Sequence, residues 1–458
     1  MAEIDPLPPQ THGLPLQQRA NLGRALRETC KRSAHADWTA AAGRRDPIDI
    51  LVEQGKSRLT DLLPLRYARM KASPFAFLRG SAAVMAADLA GTPSNGLLVQ
   101  AAGDCHCLNF GGFATPERRL SFDINDFDET SVAPWEWDVK RLATSFVVAT
   151  LETFDKPARL DLAETVARAY REAMSGIATA PVLETWYRVL SLDDTTVAAS
   201  IGLDPTIIHE ADRELKHRPV LINIEDSGGT NPKLKDKLPD LRHPTAAELP
   251  QFLHDVEAML AHYKQSLIPE RRILFERYRF ADAAYKVVGV GSVGTLCGVA
   301  LMVSGNGETL RLQFKEASRS VLEAFGRASP YANHGERVVR GQRLLQAASD
   351  ILLGFGVGPR GRDFYVRQLR DAKVKPVLDH LPAKDFRRYA ETCGQVLARA
   401  HARSADAVVL SAYLGKSDDF EQAIGLFALA YARQTEIDHA ALQRAIKIGR
   451  IPAEAQDF

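Results

Sequence analysis

Cysteine is scarce in this chain: Cys30, Cys105, Cys107, Cys297 and Cys393 are the only ones in 458 residues. A small, odd number of scattered thiols argues against a disulfide scaffold and fits a reducing compartment. Charge of one sign is missing too, since 58 Lys and Arg stand against 57 Asp and Glu, for a formal net of +1. That balance gives no reason to expect nucleic acid or an anionic membrane as partner. Long apolar runs are also absent. The nearest, VVGVGSVGTLCGVALMV at 287–303, is uncharged but short and interrupted by four glycines, so it reads as β structure and not as a membrane span. The N-terminal MAEIDPLPPQTHG has no basic stretch leading into an apolar one, so no signal peptide is read and a cytoplasmic protein is expected. Low-complexity tracts and internal repeats are not evident.

What is present is 45% hydrophobic content, ample for a sizeable core and for more than one unit. Residues 1–48 are rich in Pro, Arg and His and read as an irregular lead-in with one short helix. Apolar spacing of three and four predicts a helix over 49–70, and 73–90 reads as a turn and a second helix. Segment 97–113 reads as a strand or buried stretch before a loop, and 120–124 as a strand. WEWDVKRLATSFVVATLETF is predicted helical, with Trp137, Leu142, Phe146 and Val147 facing inward. A helical stretch follows to about 216, a Gly-, Pro- and Lys-rich loop covers 225–245, and helices return over 247–280. From 286 to 316 the pattern is β, with a hairpin at Gly305-Asn306-Gly307. FYVRQLRD at 364–371 is another strand, and the chain is helical from about 377. The class is α+β, divided as 1–48, a helix-rich 49–280, a β-rich 281–371 and C-terminal helices over 372–458.

Two short segments carry chemistry. GDCHCLN, 103–109, places Asp104 five residues before Asn109, and SFDINDFDET, 121–130, follows with a cluster of acids. Phosphoryl transfer of the protein-kinase type needs an Asp to orient or deprotonate the acceptor hydroxyl and an Asn at that interval for a divalent ion. A further Asp in a short hydrophobic-flanked motif completes the metal contacts. Asp126, before Phe127, suits that last role, with Asp123 as its rival. Mg²⁺ favours such oxygen ligands. Cys105, His106 and Cys107 are adjacent and converge poorly on a tetrahedral ion, and no spaced CxxC partner exists, so a thiolate metal site is not expected. His106 instead suits a hydrogen bond that orients the loop.

GVGSVG, 289–294, is a G-x-G-x-x-G run that both dinucleotide folds and kinases use. The dinucleotide version needs a helix across 295–303, which Gly298 and the Gly-Asn-Gly turn disfavour. In the kinase version Gly289, Gly291, Ser292 and Gly294 cover nucleotide phosphates, and Lys315, near the end of the third strand, grips them. Leu310, Leu312 and Phe314 would share one face of that strand and Lys315 the other. Glu336, preferred over Glu323, would pair with Lys315. Arg367 and Gln368 could contact the nucleotide from the strand at 364–371. The Asp104 loop precedes the glycine run, the reverse of the kinase order, so a kinase-like arrangement requires permuted connectivity.

The blocks RYARM, SPFAFLRG, GDCHCLNFG, FDINDFDE, WEWDVKRLATS, KVVGVGSVGT, LQFKEA, RVVRGQRLLQAASDILLGF, FYVRQLRD and HARSADAVVLSAYLG run in order along the chain. Together they resemble the bacterial family known as domain of unknown function 2252, over about 50–445. That family is similar to protein kinases and aminoglycoside phosphotransferases. The resemblance implies a two-lobed kinase-like fold with permuted element order, a helix-rich large lobe and a small β-rich lobe. By similarity the catalytic Asp maps to Asp104, a second His to His106, the metal Asn to Asn109 and the metal Asp to Asp126. Ala102 stands where the phosphotransferases carry a leading His. Arg66, Arg69 and Arg79 also match family blocks, either as salt bridges anchoring helices or as holders of phosphate or an acidic acceptor. The expected activity is ATP- and Mg²⁺-dependent phosphoryl transfer to an acceptor hydroxyl. AMP transfer on the same fold and a nucleotide-binding scaffold are the alternatives.

Overall fold

The computed structural model describes residues 11–192, 206, 208–209, 211, 224–225, 232–238, 241–286, 293–369, 374, 376–378 and 381–453. It is an α+β fold with a large helical region and a smaller antiparallel sheet. The chain opens with helices α1 (Leu16–Thr29), α2 (Pro47–Gly55), α3 (Leu63–Lys71), α4 (Pro74–Gly80) and α5 (Ala82–Leu89). Four short strands follow, β1 (Leu98–Ala101), β2 (Phe110–Ala114), β3 (Leu120–Ile124) and β4 (Ser131–Pro134), and then α6 (Trp135–Ala149), α7 (Lys156–Thr179) and α8 (Val182–Tyr187). Two-residue strands β5 (Ile224–Glu225), β6 (Lys233–Leu234) and β7 (Leu241–Arg242) lead to α9 (Leu249–Ser266) and α10 (Pro269–Phe275). Then come β8 (Tyr278–Lys286), β9 (Cys297–Ser304), β10 (Thr309–Glu316), α11 (His334–Leu345), β11 (Gly354–Val357) and β12 (Asp363–Gln368). Helices α12 (Ala383–Ala402), α13 (Ala407–Leu414) and α14 (Asp419–Lys447) close the chain.

The six-stranded sheet has the order β11-β12-β10-β9-β8-β7, and every pairing in it is antiparallel. The β9–β10 hairpin forms where the glycines indicated. Gly307 takes φ +80° and its N–H returns 3.0 Å to Ser304 C=O, a tight turn that suits glycine. A strand over Cys297–Ser304 is incompatible with the helix that dinucleotide binding requires there. Leu310, Leu312 and Phe314 point to one side, into a core with Phe252, Val256, Met259 and Tyr263 of α9. The boundary drawn at 280/281 therefore divides elements that share a core. Helix α9 belongs with the sheet, because its apolar stripe has the sheet's face as partner.

A second core joins the four short strands to α6, α7 and α12–α14, and Trp137, Leu142, Phe146 and Val147 are all buried in it. A third packs α2–α5 on the end of α14, through Ile48, Leu51, Met70 and Phe77 against Leu442 and Ala445. From residue 11 on, the lead-in is more ordered than its composition predicted. Helix α1 runs along α13, with Arg19 bonded twice to Asp406, at 2.7 and 2.6 Å, and Arg27 Nε donating to Tyr413 C=O at 2.8 Å. All five cysteines are free and buried. Among the described residues no helix is long and apolar enough to cross a membrane.

Candidate functional site

Strand pairing brings the two chemistry-bearing segments together. In the β1–β4 ladder Ala101 lies opposite Ser131, and in the β2–β3 ladder Phe110 lies opposite Ile124. Loop 102–109 runs from β1 to β2 and loop 125–130 from β3 to β4, so both ends of each loop are fixed beside the other. Asn125 N–H donates to Asn109 C=O at 2.8 Å, and Thr130 Oγ1 donates to Ala101 C=O at 2.6 Å. Gly103 permits the close approach. It adopts φ +86°, and a Cβ there would sit 2.2 Å from Glu129 O.

Helix α6 grips the first loop through residues that the sequence reading did not single out. Asp138 accepts the N–H groups of Ala102 (2.6 Å) and Gly103 (3.0 Å), and His401 Nε2 lies 3.2 Å from it. One turn on, Arg141 donates to Asp104 Oδ1 from Nε at 2.9 Å and again from Nη2. Ser145 Oγ accepts Cys107 N–H at 2.9 Å. These positions, i, i+3 and i+7, lie along one face of a helix. The legible signal is polar residues at helical spacing within a helix, WEWDVKRLATS, whose side chains are buried all round.

With Oδ1 of Asp104 held by Arg141, Oδ2 accepts no hydrogen bond from the described residues and lies 3.7 Å from His106 Nε2. Asn109 Nδ2 donates to Asp104 C=O at 2.7 Å. Burial, reinforced by the charges of Arg79 and Arg141, pushes the His106 pKa well below its ordinary value, so its imidazole is neutral. Burial also raises both neighbouring thiols, Cys107 to about 12. Neither is a thiolate at neutral pH.

In the second loop, Lys315 Nζ bonds Asp128 Oδ2 and lies 4.0 Å from Asp126 Oδ1, and Tyr365 Oη donates to Asp128 Oδ1 at 2.8 Å. Lys315 leaves the far face of β10 from the Leu310 stripe and is 3% exposed. Burial and the charge of Asp128 push the Asp126 carboxyl above its ordinary value. Asp128 is held below its own, burial being outweighed by Lys315 and Tyr365. Asp123 is placed differently: fully buried, it pairs with Arg399 and accepts Ala347 N–H at 3.0 Å. Of the two rivals, Asp126 faces the cleft.

Other expected residues are less well placed. Glu336 does not pair with Lys315; its carboxylate binds Arg340 at 3.1 Å, one turn along α11. Its neighbour Arg337 reaches the site instead, donating to Asp128 C=O and Ser318 C=O, both at 2.8 Å. Glu323 is buried 3.5 Å from Arg337. Arg367 spans the gap from the sheet to the loop, with Nε on Gln313 at 3.1 Å and Nη1 toward Asn125 C=O at 3.4 Å. Gln368 does not line the cleft, and its N–H is used by Asp350. Gly294, at φ +91°, offers its C=O to Leu59 N–H at 2.7 Å. Gly289, Gly291 and Ser292 lie outside the described residues.

Asp104, His106, Asn109, Asp126, Asp128 and Glu129 line one side of a single cleft. Gln54, Ser57, Arg58 and Arg79 line another, and Thr295, Glu316, Ser318 and Arg319 extend from the end of the sheet. Among the described residues no three His, Cys, Asp or Glu side chains form a ready cation cage. The arrangement instead offers one or two carboxylates and an amide beside a buried lysine, the kind of partial site that Mg²⁺ occupies together with substrate oxygens and water.

No curated protein and no solved structure matches the chain. The signature of a bacterial family described as "Uncharacterized protein conserved in bacteria (DUF2252)" matches residues 58–445, a span that includes every described cleft residue except Gln54 and Ser57. The chain belongs to that family.

Proposed function

We propose that the cleft transfers the terminal phosphoryl group of a Mg²⁺-bound nucleoside triphosphate, ATP in the simplest case, to an acceptor hydroxyl. One observation carries the reading: Asp104, Asn109 and Asp126 line one cleft, and Lys315, far away in sequence, lies buried behind it with its ammonium 4.0 Å from Asp126. The residues fit the metal. Asp128 is already paired with Lys315, whereas the Asp126 carboxyl is raised by burial and by Asp128, and a cation on Asp126 would relieve that repulsion. Asp126 and Asn109 would hold it, and when bound it neutralises phosphate charge.

The chain's own groups supply positioning and proton transfer. Asp104 Oδ2 takes the acceptor proton as the acceptor oxygen bonds phosphorus, the bond to the β-phosphate bridging oxygen breaks, and the diphosphate leaves. Arg141 and Asn109 fix Asp104 for this role. Lys315, now on Asp128, offers its ammonium to the phosphates. The permuted kinase-like connectivity is part of the same proposal. It is supported by loops 102–109 and 125–130 preceding the sheet that presents Lys315.

Water is the universal surrogate acceptor, so slow nucleotide hydrolysis tests the reading. Wild-type protein with Mg²⁺ and ATP should release inorganic phosphate, and Asp104→Asn should lower that rate by about 10²–10⁴-fold. Release of pyrophosphate instead would indicate AMP transfer. Nucleotide binding with no release, unchanged by Asp104→Asn, would indicate a scaffold.

A further inference from the structure

The cleft wall built by residues 54–80 is basic, and among the described residues no carboxylate forms an ion pair with Arg58, Arg66 or Arg79, unlike arginines elsewhere in the molecule. Arg44, Arg141, Arg171 and Arg399 each pair with an Asp or Glu. Arg79, on α4, lines the cleft, lies 5.9 Å from the Phe75 ring centroid and has a buried Nε with no hydrogen-bond partner. Arg58 lines the same wall and donates to Val293 C=O at 2.6 Å, with Glu129 and Asp128 near enough to act on its charge but not bonded to it. Behind them Arg66 is fully buried, bonded to Gln54 Oε1 at 2.7 Å and Gly80 C=O at 2.8 Å, with Nε and Nη1 unpartnered. Because Arg66 occupies the oxygen of Gln54, that side chain has its amide N–H₂ left to offer the cleft. The wall therefore presents donors and positive charge. Removing guanidinium groups from water without a counter-charge is costly, and the cost is recovered when an anion binds. Burial and the charge of Arg58 lower the Arg66 pKa to about 9, in keeping with an uncompensated cluster.

We infer that Gln54, Arg58 and Arg79 bind an oxyanion, phosphate or carboxylate, carried by the acceptor, so that the acceptor is an anionic hydroxyl compound and not a polyamine. The inference rests on the phosphoryl-transfer reading of the cleft and deepens it. Arg79 stands on the acceptor side: its helix packs on the Asp104 loop, with the Phe75 ring 6.4 Å from that of His106 and Arg141 bonding both Leu78 C=O and Asp104, whereas Lys315 is engaged by Asp126 and Asp128. A planar guanidinium suits both oxyanions through paired N–H donors. Polycationic acceptors would meet like charge here.

The test uses the full chain and two probes, inorganic phosphate and MgATP, each titrated calorimetrically. Wild-type protein should bind phosphate in the absence of nucleotide. Arg79→Gln should weaken that binding by about tenfold or more, Arg58→Gln should weaken it too, and Lys315→Met should change it less than twofold. MgATP affinity should fall in Lys315→Met and stay within twofold in Arg79→Gln. Melting curves of each variant confirm folding, and Arg79→Lys serves as a second variant that keeps the charge. Phosphate binding lost in Lys315→Met but kept in Arg79→Gln would assign the anion to the nucleotide site and overturn the inference. Equal loss of both probes in Arg79→Gln, or no phosphate binding by wild type, would overturn it as well. Failure of MgATP to bind while phosphate still depends on Arg79 would instead remove the phosphoryl-transfer reading and leave the anion subsite.

Discussion

At Asp104 one oxygen is fixed by Arg141 and the other is open, a division that suits a positioned proton acceptor. Arg141→Met should release Asp104, leave nucleotide affinity within about twofold and slow turnover; rates measured with nucleotide at saturation separate the two effects. The Asp126–Asp128 pair gives a pH prediction with a definite sign. A carboxyl raised in the folded state adds stability only while it is protonated, at pH below its folded value. Above that pH the charged pair costs stability. Asp128, depressed by Lys315, has the opposite dependence: its contribution is present at neutral pH and lost as pH falls through its folded value. Mg²⁺ should therefore raise Tm at pH 7, and the increment should shrink as pH falls into the carboxylate range and both acids protonate. Asp126→Asn should abolish most of it. Thermal melts with Mg²⁺ or with chelator read this directly, and an increment unchanged by pH or by Asp126→Asn would remove the metal from this position. Asp126 was legible as a candidate, but its separation from Asp123 was not. Asp123 is sealed by Arg399, 276 residues away, and no local pattern announces that pairing.

Among the elements, α6 does most to hold the site. Asp138→Ala would leave two loop N–H groups and His401 without their acceptor, a loss of about 3–5 kcal/mol by analogy with broken buried charge pairs. Ser145→Ala, which removes one neutral hydrogen bond, should cost only about 1 kcal/mol. Denaturant unfolding of the two variants gives that ratio, and comparable losses would contradict the assigned roles. The apolar face of this helix was legible because its periodicity is local. Its polar grip was not, because the partners of Asp138 and Arg141 lie 35 or more residues away. Helix α11 shows a finer limit. Glu336 and Arg337 differ by about 100° around the axis, and only tertiary contacts decide which one reaches the Asp128 loop. The β9–β10 hairpin was fully legible, since Gly307 at positive φ and strict alternation in LRLQF are local signals.

Across the whole molecule, the basic wall is anchored by the last helix of the chain. Arg44 ties α5 to α14, bonding Asp88 at 2.7 Å from both Nε and Nη2, and Asp438 at 2.9 and 2.6 Å. Arg44→Ala would leave two buried carboxylates without their cation and should cost about 3–5 kcal/mol, read as a fall in the urea midpoint. A loss below 1 kcal/mol would mean that packing of Leu442 and its neighbours alone holds this end together. The α+β class and the β-rich region were readable from composition and periodicity. The sharing of α9 with the sheet was not, because an amphipathic helix does not specify which core it joins. The most direct test of the central claim is calorimetric titration of ATP, with and without Mg²⁺, into wild-type protein and Lys315→Ala. The account predicts one-to-one, Mg²⁺-dependent binding that weakens at least about tenfold when Lys315 is removed. Binding that is absent from wild type, or unchanged by loss of Lys315, would contradict it.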